Sequence, residues 1–344
     1  MSQHGANAID HRSLIIAGVR FTLSDLIDAT AFPPPFHAFR RTAASADLEC
    51  EVACLGPDDA LASQPPVPDM PWSFTVRGGV CELIRRNQKG EALWRIAGPL
   101  AFERATVAWS PLRFAGFYGS LERAWSTGLG LSLLVLRLRA QGGLVLHGTA
   151  ADVEGQGILC VGVSGTGKST LARLLDAAGA TVLSDERPVL RQWPSPAAGA
   201  APSAAFRVYG SPWPSSAGFA GDAWAPLRRI YFLEHGETDR LTPLPPRDAV
   251  SRLIHVATIP WQDPVLLDPC LATVEALLGA LPCAVLSFRP TPAVVDLIRA
   301  DLRQPGYCQE FCGKNDDSEL VDDSGRLSLR ASLATAGRLR TDNE

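Results

Sequence analysis

The sequence predicts an α/β protein in two parts, and three observations carry that prediction. Between Ile158 and Ala178 an apolar run, a glycine-rich turn and a helix-periodic stretch succeed one another. From Ser13 to Ile96 short apolar segments are separated by turn residues, the pattern of a β-rich domain. From Ile230 to Leu302 strand-like and helix-like segments alternate. The expected division is a β-rich N-terminal domain over residues 1–125, an α/β domain holding the glycine-rich turn over 126–303, and a flexible polar tail over 304–344.

Composition bounds the function. A chain of 344 residues can bury two cores. Its hydrophobic content of 46% and charged content of 20% are those of a soluble globular protein. A net charge of −4 and a pI near 5.9 exclude a general attraction to nucleic acid. Residues 1–10 are polar, with no secretory apolar core. The longest apolar stretch, Leu129–Leu138, is too short to span a bilayer and contains Arg137. A cytoplasmic protein with neither a nucleic-acid nor a membrane partner is expected. Two of the eight cysteines, Cys50 and Cys54, share one face of a strand, and Cys308 and Cys312 repeat the spacing. Such loose, distant pairs read as buried thiols rather than a zinc site, and Cys160 reads as core.

In the N-terminal part, Ser13–Leu23 alternates as one strand, and Pro33–Pro35 interrupts any regular element beyond Asp28. Leu48–Leu55, Trp72–Val76, Val80–Arg85 and Glu91–Ile96 read as further strands of an antiparallel sheet, with a loop over 56–71. No motif there carries chemistry; by position the domain could recognise a substrate or form a dimer. Leu121–Arg139 has Leu131, Leu134, Val135 and Leu138 at helical spacing, predicting a helix packed on the second domain's sheet.

The chemistry concentrates between Leu146 and Arg191. Gly162-Val163-Ser164-Gly165-Thr166-Gly167-Lys168-Ser169 is G-x-x-x-x-G-K-[ST], with Thr170 next in the chain. In such a loop the glycines let backbone N–H groups wrap a phosphate, the Lys168 position reaches the β/γ-phosphates and the Ser169 hydroxyl binds Mg²⁺. The helix from Ser169 to about Ala178 directs its positive end at the same anion. Gly179 ends it, and the strand Ala180–Leu183 leads to Asp185 and Glu186. Adjacent carboxylates suit two tasks, holding Mg²⁺ and accepting a proton from an attacking hydroxyl. His147 ends the apolar run Leu144–Leu146, on a strand expected beside the loop strand, and is a third candidate.

Beyond Arg191, Gln192–Pro226 is rich in Pro, Ala, Gly and Ser and reads as a long loop. Arg207 and Trp213 within it are candidates to contact nucleotide or acceptor, and Arg228 and Arg229 to neutralise phosphate. Asp248–Val256 and Leu271–Leu281 read as helices and Ala284–Phe288 as a strand. Thr291–Leu302 reads as a helix with Thr291 as cap and Pro292 at its first position. His255 and Arg289 stand at the ends of these elements as weaker candidates.

Leu-His-Gly, then the G-x-S-G-x-G-K-S loop, then Gly-Ala-Thr-Val-Leu-Ser-Asp-Glu186 resembles the C-terminal domain of the HPr serine kinase/phosphorylase family over Leu146–Leu190. The resemblance implies a fold of the HPr kinase/phosphoenolpyruvate carboxykinase type, Mg-ATP as cofactor, and phosphoryl transfer to a serine hydroxyl. It carries functional roles onto His147, Lys168, Ser169 and Asp185, with Glu186 at the second acid. Thr170 and Glu186 depart from the family's usual Glu and Asp. Val208-Tyr-Gly-Ser-Pro-Trp-Pro214 and Ala225–Glu234 are more similar to divergent HPr-kinase-related proteins, some of which phosphorylate a serine of a ribosomal peptide precursor. The expected partner is therefore a serine-bearing peptide or protein. A homo-oligomer is allowed, since the related kinases are often hexameric.

In the expected reaction Gly162–Gly167, Lys168, Ser169 and Thr170 bind the nucleotide, and Ser169 with one of Asp185 and Glu186 holds Mg²⁺. The other acid, placed at Asp185, accepts the hydroxyl proton, and His147 orients that carboxylate or binds phosphate. A small-molecule kinase, a carboxykinase-like enzyme and an ATP-operated switch without transfer are the alternatives.

Overall fold

The computed structural model describes residues 13–40, 46, 48–68, 71–193 and 206–304. The expectations for residues 1–12, for the tail from 305 and for Cys308 and Cys312 lie outside them. In chain order the first part contains β1 (Ser13–Ile16), β2 (Val19–Leu23), β3 (Leu48–Pro57), α1 (Asp59–Ala62), β4 (Trp72–Arg77), β5 (Val80–Arg86), β6 (Ala92–Pro99) and β7 (Arg104–Trp109). Helices α2 (Pro111–Phe117), α3 (Leu121–Ala124) and α4 (Gly130–Leu138) come next, with one π turn joining α3 to α4. The second part runs β8 (Gly143–Val145), β9 (Gly148–Val153), β10 (Gln156–Val161), α5 (Lys168–Ala177), β11 (Thr181–Ser184), β12 (Val189–Gln192), β13 (Phe206–Tyr209), β14 (Trp224–His235), β15 (Arg240–Leu244), α6 (Pro246–Val256), α7 (Pro264–Ala280), β16 (Cys283–Phe288) and α8 (Ala293–Leu302).

The first seven strands form one sheet in the order β1-β2-β3-β7-β6-β5-β4. It is mixed, not antiparallel as its sequence suggested: β3 pairs parallel with both β2 and β7. The single strand expected over Ser13–Leu23 is a hairpin turning at Ala17-Gly18, because both residues there take positive φ. The helical run expected over 121–139 is present and meets the second sheet at β8, as expected, but it also joins the core of the first sheet. Leu133, Leu134, Leu136 and Leu138 join the core of the first sheet, where Val145, Val189, Tyr209 and Trp213 meet them. Arg137 and Arg139 can sit in this apolar stretch because their guanidinium groups donate to the carbonyls of Glu49, Ala101, Leu100 and Leu136.

The other nine strands form a second sheet, ordered β11-β9-β10-β14-β13-β12-β8, with β16 against β14 and β15 against β16. Its central strands β10, β14 and β16 are parallel. They are apolar on both faces, as strands covered on two sides must be. Ile158, Cys160, Tyr231 and Leu233 point to the core shared with α5 and α8. Their neighbours Leu159, Val161, Ile230 and Phe232 point to the core shared with α6 and α7. The result is a mixed α/β arrangement with helices on both faces of the sheet.

Several boundaries shift. Phe206–Tyr209, expected inside a loop, is strand β13, and Ala225 and Pro226 already belong to β14. Thr291 does not cap α8; the cap is Pro292, whose helical backbone makes it the entry to the helix. Cys50 is buried and Cys54 partly buried on one face of β3, as alternation required. Among the described residues no group of three or more His, Cys, Asp or Glu side chains could hold a metal ion. Among those residues, too, no helix is long and apolar enough to cross a membrane.

Candidate functional site

The register of three strands brings the predicted residues to one end of the second sheet. β9 runs antiparallel to β10, with Gly148 opposite Val161. His147, one residue before Gly148, therefore sits across from the point where β10 enters the glycine-rich loop. β11 pairs antiparallel with the other side of β9, with Ser184 opposite Ala150, so it runs in the same direction as β10. Its end carries Asp185 and Glu186 to the same edge. The strand before His147 is not the neighbour of the loop strand, as the sequence had suggested: β8 pairs with β12, and β9 is that neighbour. The hairpin turn that makes β9 and β10 adjacent is Glu154-Gly155, both at positive φ.

The loop Gly162–Gly167 joins β10 to α5. Gly167 takes φ +93°, and a Cβ there would approach the Phe288 ring to 3.0 Å. At Gly162 a Cβ would collide with the Thr166 hydroxyl, which is itself bonded to the Val163 carbonyl at 2.9 Å. Lys168, only 8% exposed, folds back and donates to the carbonyls of Gly162 at 2.7 Å and Val163 at 2.8 Å. Burial pushes its pKa below the ordinary lysine value, and the carboxylate of Glu186 opposes that shift. Ser169 and Thr170 are half-buried in the first turn of α5. The first N–H groups of that helix lack partners within it, so the turn presents positive dipole beside a lysine. Val163, Ser164 and Gly165 are exposed at the loop's tip.

On the facing side, His147 Nδ1 stands 3.2 Å from Glu186 Oε1, and Arg187 Nη2 lies 3.6 Å from the same oxygen. Nδ1 is buried and faces the Glu186 carboxylate. Burial holds His147 below its ordinary pKa, Glu186 pulls it up, and Lys168 and Arg187 push it down again. The backbone fixes both residues. His147 N–H donates to Val256 at the end of α6 at 2.7 Å, and Gly148 N–H to the Glu186 carbonyl at 3.2 Å. Ser184, fully buried, accepts the Arg187 N–H at 3.1 Å and bends the chain after β11.

Asp185 differs from Glu186. It is 1% exposed, and its two oxygens accept from Ser215, one from the backbone N–H at 2.9 Å and one from the hydroxyl at 2.6 Å. Ser215 carries no signal in the sequence; the Pro-Trp-Pro run before it marks an ordered loop but not its target. Arg187 and Ser184 were missed too, for want of any motif.

The remaining candidates lie elsewhere or are committed. Trp213 is buried with its ring edge-on to Phe36 at 5.6 Å, so it anchors its loop to the first sheet's core instead of meeting a ligand. Arg207 is stacked between Trp193 and Trp224, 3.8 Å from each ring centre. Arg229 is buried in an ion pair with Asp301 at 3.0 Å, shared with the Tyr231 hydroxyl, and neutralises a carboxylate rather than a phosphate. Arg228 is half-buried on β14. His255 is exposed and bonded to the Ser251 carbonyl on its own helix. Arg289 adjoins Phe288 at the loop's flank, paired with Asp239 at 3.6 Å.

The arrangement sets a glycine-rich loop and a helix end near two carboxylates. Ser169, Asp185 and Glu186 carry hard oxygens, too few for an all-protein cage; of the metals, they would suit Mg²⁺, which takes one or two carboxylates and completes its shell with water and phosphate.

No protein-family model matches this chain. No curated protein matches it significantly. Among solved structures, an HPr(Ser) kinase/phosphatase from Coxiella burnetii aligns with 46% of this chain and 99% of its own, at 12% identity and a TM-score of 0.27. A likeness that shallow carries no argument about activity.

Proposed function

We propose that this chain is a Mg-ATP-dependent phosphotransferase that acts on a hydroxyl, and that the hydroxyl belongs to a serine of a peptide or protein. The observation that supports it most is the convergence of His147 before β9, Glu186 after β11 and Lys168 at the start of α5 on one edge of the second sheet. The serine acceptor rests on the sequence resemblance.

Bound Mg-ATP would supply the γ-phosphoryl group and a divalent charge to offset its oxygens. Lys168 would exchange its bonds to the Gly162 and Val163 carbonyls for phosphate oxygens, joined by the loop's N–H groups. Ser169 and Asp185 would provide the protein's oxygens to Mg²⁺. Glu186 is the accessible acid, with its side chain 26% exposed, and it would accept the hydroxyl proton. His147, held neutral at pH 7 by its lowered pKa, would keep that carboxylate in place. The geometry thus favours Glu186 as proton acceptor and Asp185 as metal ligand, the reverse of the division drawn from sequence.

The test is transfer of label from γ-labelled Mg-ATP to cell lysate and to a panel of serine-containing peptides, with wild type and Lys168→Ala. Label on serine with wild type alone supports the proposal. Label recovered only as inorganic phosphate, or equal labelling by both proteins, would overturn it.

A further inference from the structure

We propose that Ser215 is a positioning residue for the metal-facing carboxylate, and that the loop over 210–221 exists to deliver it. The inference rests on the phosphotransferase reading and adds the element that sets Asp185. A carboxylate 1% exposed must be compensated, and here Ser215 supplies the N–H at 2.9 Å and the hydroxyl at 2.6 Å, one to each oxygen. This two-point grip fixes the rotation of the carboxylate as well as its place.

The loop is built to hold that grip. Gly221 N–H donates to the Leu183 carbonyl at 2.9 Å, and Ala220 bridges to Ser184, so the far limb is stitched to β11 beside Asp185. At Gly210 a Cβ would collide with the carbonyls of Gly221 and Leu183, so the near limb is packed against the same strand. Two residues before Ser215, Trp213 is buried edge-on to Phe36. The Ser215 hydroxyl also accepts the Ala217 N–H at 3.2 Å, which orients its own proton toward Asp185. Removing a partner behind a metal ligand weakens metal binding without touching the ligand itself.

The test uses Mn²⁺ as the probe, read by the electron paramagnetic resonance of free and bound ion in the presence of ATP. Ser215→Ala is expected to raise the half-saturating Mn²⁺ concentration about 10- to 100-fold. Ser215→Thr, which keeps the hydroxyl, restores most of the affinity. Nucleotide binding in EDTA is unchanged in both. In the double variant Ser215→Ala/Asp185→Asn the loss does not exceed that of Asp185→Asn alone, because both changes act on one carboxylate. Unchanged Mn²⁺ affinity in Ser215→Ala, or losses that add in the double variant, overturns this inference and leaves the phosphotransferase reading standing. Wild type that binds nucleotide without Mn²⁺ also overturns it. Wild type that binds neither overturns the reading beneath it.

Discussion

His147 and Glu186 face each other across 3.2 Å, although the first enters β9 and the second leaves β11. Glu186 is the acid within reach of both this histidine and the charge of Lys168. Glu186→Gln keeps the shape and removes the base. Its turnover in the transfer assay is expected to fall by about 10²–10⁴-fold, with nucleotide affinity retained. His147→Ala should lose less, because it removes only the group that holds the carboxylate. Equal turnover in wild type and Glu186→Gln would return the proton-accepting role to Asp185.

The same histidine gives a pH dependence with a definite sign. Burial, the largest influence, lowers its native pKa below the unfolded value of about 6.5. The folded state therefore binds fewer protons than the unfolded state in the window between the two values. The contribution to stability is full above pH ~6.5 and is lost as pH falls toward the native pKa. The difference between the urea midpoints of wild type and His147→Gln should be constant above pH ~6.5, and wild type should lose stability relative to the variant as pH falls below it. Wild type gaining on the variant as pH falls would mean that the attraction to Glu186 outweighs burial.

Arg229, Tyr231 and Asp301 form a buried network away from the loop, with the Arg–Asp distance 3.0 Å and the Tyr–Asp distance 2.7 Å. Asp301→Ala leaves a guanidinium buried without its carboxylate and should cost about 3–5 kcal/mol in urea unfolding. Milder Tyr231→Phe removes one hydrogen bond and should cost about 1–2 kcal/mol. Neither change should alter nucleotide affinity in protein that remains folded; a loss there would return Arg229 to the candidate site.

Gly167 combines φ +93° with the Phe288 ring 3.0 Å from its absent Cβ. Gly167→Ala should cost about 1–3 kcal/mol of stability from backbone strain. It should also weaken nucleotide binding by displacing the loop. Adding Phe288→Leu relieves the contact but not the φ, so the rescue is partial. Full rescue would mean that the steric contact alone requires glycine.

The site's outline was legible because its signals are local. A strand, six loop residues, a helix and a second strand ending in Asp185-Glu186 are contiguous, and their chemistry comes from spacing. His147 was legible as a candidate, but its neighbour was not, since pairing of β9 between β10 and β11 is a property of the sheet. The partners of Asp185 and Arg229, at Ser215 and Asp301, lie 30 and 72 residues away in sequence, beyond any periodic pattern. The mixed first sheet was hidden for the same reason: alternation marks β3 as a strand but is silent on the parallel pairing that the chain's long returns impose. Strand β7 and helix α2 were not anticipated, and the turn at Ala17-Gly18 was hidden inside one unbroken alternating run.

The most direct measurement is a calorimetric titration of wild type and Lys168→Ala with Mg-ATP. Wild type is expected to bind saturably, and more weakly when Mg²⁺ is withdrawn, and Lys168→Ala to bind at least about tenfold more weakly from loss of one charge-assisted contact. Equal affinity in the two proteins, or no saturable binding by wild type, would contradict the assignment of the Gly162–Ser169 loop as the nucleotide site.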